Sequence, residues 1–145
     1  MSYTLDFSSI SMKMVSEVGG KNASLGEMFN QLHMEGVLIP DGFAVCVKAY
    51  DRFLDFNGLR KILTDVLKSL DQKSFSNLSE VGKKARELIA KGTWPEDVGQ
   101  EILVAHAALL KRCADGITLA VRSSATAEDA RNHQNASTLL PHRVA

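Results

Sequence analysis

The chain is poor in several things, and each shortage removes a class of function. It holds only two cysteines in 145 residues, Cys46 and Cys113, without a CxxC spacing. That excludes a disulfide framework and a thiolate zinc site, and leaves two buried or half-buried free thiols of a reducing compartment. Aromatic residues make up 6% and do not interleave with basic ones, so a stacking surface for nucleic-acid bases is missing. Neither charge sign is in excess: 17 Lys and Arg face 17 Asp and Glu, for a net charge of zero. Bulk charge therefore argues for neither a nucleic-acid nor a membrane partner. No apolar run approaches the ~20 residues of a membrane span. The N-terminus, Met1 to Phe7, has neither the basic nor the apolar segment of a secretory signal, and the chain is expected to be cytoplasmic. What is present is ordinary for a globular protein, with 45% apolar and 23% charged residues in a length that suits one domain or one lobe of a larger one.

The apolar spacing predicts an α/β (α+β) fold. Tyr3, Leu5 and Phe7 alternate with polar residues, as in a half-buried strand. After a break at Val18-Gly19-Gly20, Leu25, Met28, Phe29 and Leu32 recur at helical spacing up to Gly36. Pro40-Asp41-Gly42 is a turn signal, and residues 43–47 read as a buried strand. Tyr50, Phe53 and Leu54 mark a helix over 49–56. Leu59, Ile62, Leu63, Val66, Leu67 and Leu70 form a clean helical stripe. Further helices are expected over 77–89 and 96–113, the latter burying Val98, Ile102, Ala105, Leu109 and Leu110. Residues 117–122 have the composition of a third strand, so that strands at 3–7, 43–47 and 117–122 would form one small sheet carrying four or five helices.

Three runs carry the chemistry: VGGKNASLGEM over 18–28, VLIPDGFA over 37–44, and AVRSSATAED over 120–129. In the first, Gly19 and Gly20 let the backbone come close to an anion, the following helix presents its positive end, and Lys21 adds a full charge. The plainer alternative is a turn into a helix with an exposed lysine. The GxxxxGK[ST] spacing of a Walker loop is missing. In the last run a buried strand would deliver Arg122, whose fork suits phosphate oxygens, beside the hydroxyls of Ser123, Ser124 and Thr126. The alternative there is a structural ion pair of Arg122 with Glu128 or Asp129 and serines that cap a helix. Glu128 and Asp129 could also touch a magnesium ion, although an acidic pair alone is thin support. His33, His106, His133 and His142 have no ligand spacing and read as ordinary surface or boundary residues. Trp94 beside Pro95 reads as a packing anchor at a helix entry, and Glu80, Glu87, Glu96 and Glu101 as solvated helix faces.

In this order, the three runs together with Ala49-Tyr50 and Phe53 resemble the N-terminal ATP-binding region of the phosphoenolpyruvate synthase and pyruvate, phosphate dikinase family, over residues 1 to about 129. The resemblance implies the first lobe of an ATP-grasp-like nucleotide-binding domain. By motif match it implies that Lys21 and Arg122 contact ATP phosphates, with Gly19, Gly20, Ser123, Ser124 and Thr126 in the same site. In the family, the β-phosphoryl group of ATP passes to a histidine on a swivelling domain and then to pyruvate in a barrel that holds magnesium. Water takes the γ-phosphate in the synthase branch. Mg2+ thus belongs to the full-length enzymes, with its ligands not expected among these residues.

Beyond Asp129 the sequence departs from that pattern. The glycine-containing loop expected next is replaced by Ala130-Arg131-Asn132-His133-Gln134, and the tail to Ala145 has no acidic or aromatic residue. Residues 130–145 read as an aberrant, disordered tail, either from a change of reading frame or belonging to a genuine short paralogue. The second ATP lobe, the phosphohistidine domain and the barrel are absent, so an inactive part of the ATP site is expected. A stand-alone nucleotide-binding module, an interaction protein that docks on a full-length homologue, and a piece of a related phosphotransferase such as a rifampicin-type enzyme are the alternatives.

Overall fold

The computed structural model describes residues 2–32, 35–113 and 118–126, and the backbone of 143–144. Two compact units divide the chain: residues 1–50 with 96–145, and residues 51–95.

The first unit is organised by a two-stranded antiparallel ribbon. Strand β1 (Thr4–Asp6) pairs with β2 (Phe43–Val45), Thr4 opposite Val45, Leu5 opposite Ala44 and Asp6 opposite Phe43. The ladder runs on through Phe7 N–H to Gly42 C=O (3.0 Å) and Cys46 N–H to Tyr3 C=O (2.8 Å). The half-buried strand expected at 3–7 and the apolar run at 43–47 are thus both present, and shorter. After β1 the chain makes 3-10 turns at Phe7–Ser9 and Met12–Met14, then the short helix α1 (Val15–Val18) and the long helix α2 (Gly20–Leu32). Phe7, Ile10, Val18, Ala23, Ala44 and Cys46 form the core, edged by Leu5, Met14, Val15, Leu25 and Phe29. Burial of the Cys46 thiol, reinforced by Glu17, pushes its pKa up to about 11, so it behaves as a small apolar side chain.

Helix α2 comes close to the 3-10 turns because Gly26 has no side chain. A Cβ at Gly26 would lie 2.5 Å from Ile10 Cβ. Asn30, one turn on, donates its amide to the carbonyls of Phe7 (3.2 Å), Ile10 (2.9 Å) and Gly26 (2.9 Å). An irregular stretch that cannot satisfy its own carbonyls is thereby satisfied by one side chain.

Helix α6 (Glu96–Arg112) is tied to the ribbon at two points. Near its C-terminus, Arg112 bonds Asp41 (2.8 Å) and Asp6 (3.0 Å). Near its N-terminus, one oxygen of Glu101 accepts from the Ser2 hydroxyl, the Tyr3 N–H (2.6 Å), the Thr4 N–H (2.7 Å) and the Thr4 hydroxyl (3.1 Å). Glu101 is therefore not the solvated residue its helical context suggests. Burial, the largest single effect, pushes its pKa up, but the hydrogen bonds from Ser2, Thr4 and Tyr3 together outweigh it and hold it below the ordinary 4.5. A depressed pKa in the folded state means stability that is present above the unfolded value and lost as pH falls through the folded one. Glu101→Gln should cost about 1–2 kcal/mol at pH 7 and much less near pH 3, read from urea melts at the two pH values. Equal losses at both would contradict the clamp.

The sheet differs from expectation at its third strand. Residues 118–123 have no regular structure and are exposed, Leu119 by 42% and Val121 by 93%. High β-propensity reflects packing on a pleated, half-buried surface, and among the described residues no strand lies beside this segment to supply one. The strand that does form is β3 (Ser124–Ala125). It pairs with β4 (Arg143–Val144) in a separate two-stranded ribbon, Ser124 opposite Val144 and Ala125 opposite Arg143. Residues 127–142, with Glu128, Asp129, His133, His142 and most of the expected tail, lie outside the described residues, as does His33. On α6, Val98 and Leu109 are buried and Ile102 and Ala105 half-buried as expected, but Leu110 is 44% exposed.

The second unit is helical. Helix α3 (Val47–Phe56) buries Tyr50, Phe53 and Leu54 as its spacing predicts. Helix α4 (Leu59–Lys68) packs on α5 (Leu78–Ala90), burying Leu59, Leu63 and Val66 against Val81, with Ile62 left outside. The α4–α5 loop is organised by Asp71, whose carboxylate accepts from the Ser74 hydroxyl, the Lys73 and Ser74 N–H groups and the Ser76 hydroxyl. These bonds, Ser74 first, lower its pKa to about 2. Trp94 tilts against Phe53 at 5.4 Å between ring centroids, the anchor expected of it.

Candidate functional site

The first glycine run sits at the break between α1 and α2. Gly19 has φ +81° and ψ 160°, a conformation open in practice to glycine alone. Its N–H closes α1 on Val15 C=O (2.9 Å), and its C=O accepts from Ala23 N–H (3.0 Å) inside α2. Gly20 is the first residue of α2, and both glycines are buried. The sequence suggested that the glycine amides would face an anion. The Gly19 N–H is instead bonded within the chain, and its contribution is the reversal of direction it allows.

Lys21 follows as the second residue of α2, exposed to solvent, in a first turn without any acidic residue. A cation there opposes the helix dipole, at a cost of about 0.3–1 kcal/mol. The same field and the same lysine act together on an anion placed at the helix end. Asn22 turns its side chain back to Val18 C=O (2.8 Å), one turn earlier. It is a residue the sequence did not single out, although its place inside the first run was a usable signal.

The last run meets the first through Ser124. This side chain is 2% exposed, the one buried polar residue among those described. Its hydroxyl oxygen lies 3.4 Å from the Asn22 backbone N–H, at the open end of α2. It also lies 2.2 Å from where a Cβ on Gly19 would stand, with Ala125 N at 3.0 Å from the same point. The absence of a side chain at Gly19 is what lets β3 come this close. Arg122 is two residues before Ser124, and Lys21 is one residue before Asn22. Two runs about a hundred residues apart in sequence are thus in contact, and each carries a cation to the surface beside that contact.

Of the residues the sequence proposed, Lys21, Arg122 and Ser123 are exposed, Thr126 is half-buried, and Gly19, Gly20 and Ser124 are inside. The buried strand expected to deliver Arg122 is not there; the residue lies in an exposed, irregular segment just before β3. Within residues 19–24 and 122–126 the donors are a lysine, an arginine, hydroxyls and amides, with no carboxylate. That set suits phosphate oxygens better than direct ligation of a hard divalent cation, for which carboxylates are the usual protein ligands. The run over 37–44 passes through the turn at Asp41-Gly42 into β2, where it completes the ribbon. No described helix is long and apolar enough to cross a membrane.

The sequence matches the family profile described as pyruvate phosphate dikinase, AMP/ATP-binding domain, over residues 15–137. It is similar to several curated phosphoenolpyruvate synthases. With that of Neisseria meningitidis serogroup B it is 45% identical over 131 residues, 88% of this chain and 16% of the relative. With that of Synechocystis it is 41% identical over 128 residues, 85% of this chain and 16% of the relative. With that of Escherichia coli K12 it is 37% identical over 123 residues, 85% of this chain and 15% of the relative. The chain spans about one-sixth of the length of these relatives.

Proposed function

The chain belongs to the pyruvate phosphate dikinase AMP/ATP-binding domain family, and on that premise we propose that its two cationic runs form the phosphate end of an ATP site. Lys21 supplies a point charge at the start of α2. Arg122 supplies a planar fork for two phosphate oxygens. Ser123 and Thr126 donate hydroxyls, while Gly19, Gly20 and Ser124 set the backbone on which these groups stand. The observation that supports this reading is the contact of Ser124 with Gly19 and Asn22, which joins the two runs that carry Lys21 and Arg122.

The wider activity follows the relatives, which are phosphoenolpyruvate synthases. The chain contributes part of the ATP site of an enzyme that makes phosphoenolpyruvate from pyruvate and ATP, in the cytoplasm. Mg2+ would arrive on the nucleotide phosphates, since residues 19–24 and 122–126 hold no carboxylate. Phosphoryl transfer depends on positioning and on charge stabilisation around the transferred group. Two cations and two hydroxyls can bind ATP without completing that environment, so the chain alone binds and does not turn over. Docking on a full-length homologue would be the route by which it influences catalysis.

The purified chain should bind ATP with a dissociation constant near 1 mM, equivalent to about 4 kcal/mol, and should form no phosphoenolpyruvate from ATP and pyruvate. Calorimetric titration and a coupled phosphoenolpyruvate assay check the two halves. Turnover above a blank preparation would contradict the second, and no ATP binding at ten times that concentration the first.

A further inference from the structure

We infer that Ser124 is a positioning residue that locks the register between the lysine run and the arginine run, and that nucleotide affinity depends on this lock although the Ser124 side chain itself is turned away from solvent. The inference rests on the phosphate-site reading above. Its own basis is geometric. A serine hydroxyl 2% exposed has no route to a ligand in water, yet it sits at the one end of α2 where amides lack partners within the helix. It approaches the Asn22 N–H to 3.4 Å across 102 residues of sequence. A helix is normally capped by the residue just before it. Gly19, in that place, has no side chain to offer, and Ser124 reaches in from β3 instead.

This arrangement has a consequence for the two cations. Lys21 is fixed to α2, and Arg122 belongs to a segment whose residues 118–123 make no regular structure. Among the described residues, the exposed arginine is tied to α2 from its C-terminal side, through Ser124. Consecutive Cα atoms are ~3.8 Å apart, so the anchor confines the Arg122 backbone to within roughly 8 Å of its own position. Loss of the hydroxyl removes the bond to Asn22 and loosens the anchor, while the pairing of β3 with β4 and both charges stay in place. A ligand that needs both at once must then bear the ordering of the segment as a cost of binding.

The test uses the 15N-labelled chain and its Ser124→Ala variant. Without nucleotide, the Asn22 amide should exchange with solvent roughly tenfold faster in the variant, the loss of one hydrogen bond. The Cys46 amide, bonded to Tyr3 in the ribbon, should keep its rate. With ATP, the variant should bind roughly three- to tenfold more weakly, as expected when ordering moves into the binding step. Thr118→Ala, at an exposed position on the same segment, should change neither reading. Unchanged Asn22 exchange in Ser124→Ala, or faster exchange with unchanged ATP affinity, overturns the positioning role. If the parent chain fails to bind ATP while Asn22 exchange still depends on Ser124, the phosphate-site reading is what has failed, and the link from the lock to affinity fails with it.

Discussion

Gly19→Ala should destabilise the chain by about 3–5 kcal/mol, a sum of backbone strain and forced overpacking. The backbone at Gly19, φ +81° and ψ 160°, is closed to side-chain-bearing residues. A Cβ there would also stand 2.2 Å from the Ser124 hydroxyl oxygen and 3.0 Å from the Ala125 nitrogen. The hydroxyl cannot swing away cheaply, because its site is closed to solvent and it would leave the Asn22 N–H without a partner. The strand backbone can move only by separating the last run from the first. Gly99→Ala is the informative contrast. Gly99 lies inside α6 with nothing within 4 Å of its Cβ position. Alanine there should stabilise the chain by about 0.5–1 kcal/mol through helix propensity. Urea denaturation of the two variants and the parent measures both. A loss below 1 kcal/mol for Gly19→Ala would mean that the close approach of β3 to the α1–α2 break is not what the fold depends on.

Lys21→Ala and Arg122→Ala should each weaken ATP binding by at least tenfold, while the thermal midpoint stays within about 2 °C of the parent. A charge-assisted contact to phosphate is worth about 1.5–3 kcal/mol, against only about 4 kcal/mol for a millimolar complex. Losing either contact thus removes much of the total. Stability should barely move, because both side chains project from the surface. The opposite pattern, with a large drop in midpoint for Arg122→Ala and no change in nucleotide binding, would assign Arg122 to a structural ion pair.

Much of this architecture is legible in the sequence where the structure obeys a local period. The stripe Leu59, Leu63 and Val66 and the trio Tyr50, Phe53 and Leu54 need only the helical repeat to be read, and they are buried as read. The breaks at Gly19 and at Asn57-Gly58 announce themselves by residue type. What escapes is what depends on distant partners. Residues 118–121 have the composition of a strand, but a strand exists only beside another, and composition does not say whether a neighbour is there. Glu101 looks like any glutamate on a helix, and its clamp is made with residues 97–99 positions earlier. Among the site residues, Lys21 and Arg122 are visible because glycine, serine and a cation in one run are unusual together. That Ser124 is the inward-facing residue of the Ser123-Ser124 pair follows from the direction of β3, which no local pattern encodes.

The most direct test of one shared phosphate site is an amide-resolved NMR titration of the 15N-labelled chain with ATP. The two runs should respond together, with amides of residues 19–24 and 122–126 shifting along curves that fit a single dissociation constant, and with AMP, which has one phosphate, shifting them less. Shifts confined to one run, or separate constants for the two, would contradict the claim that Lys21 and Arg122 serve the same ligand.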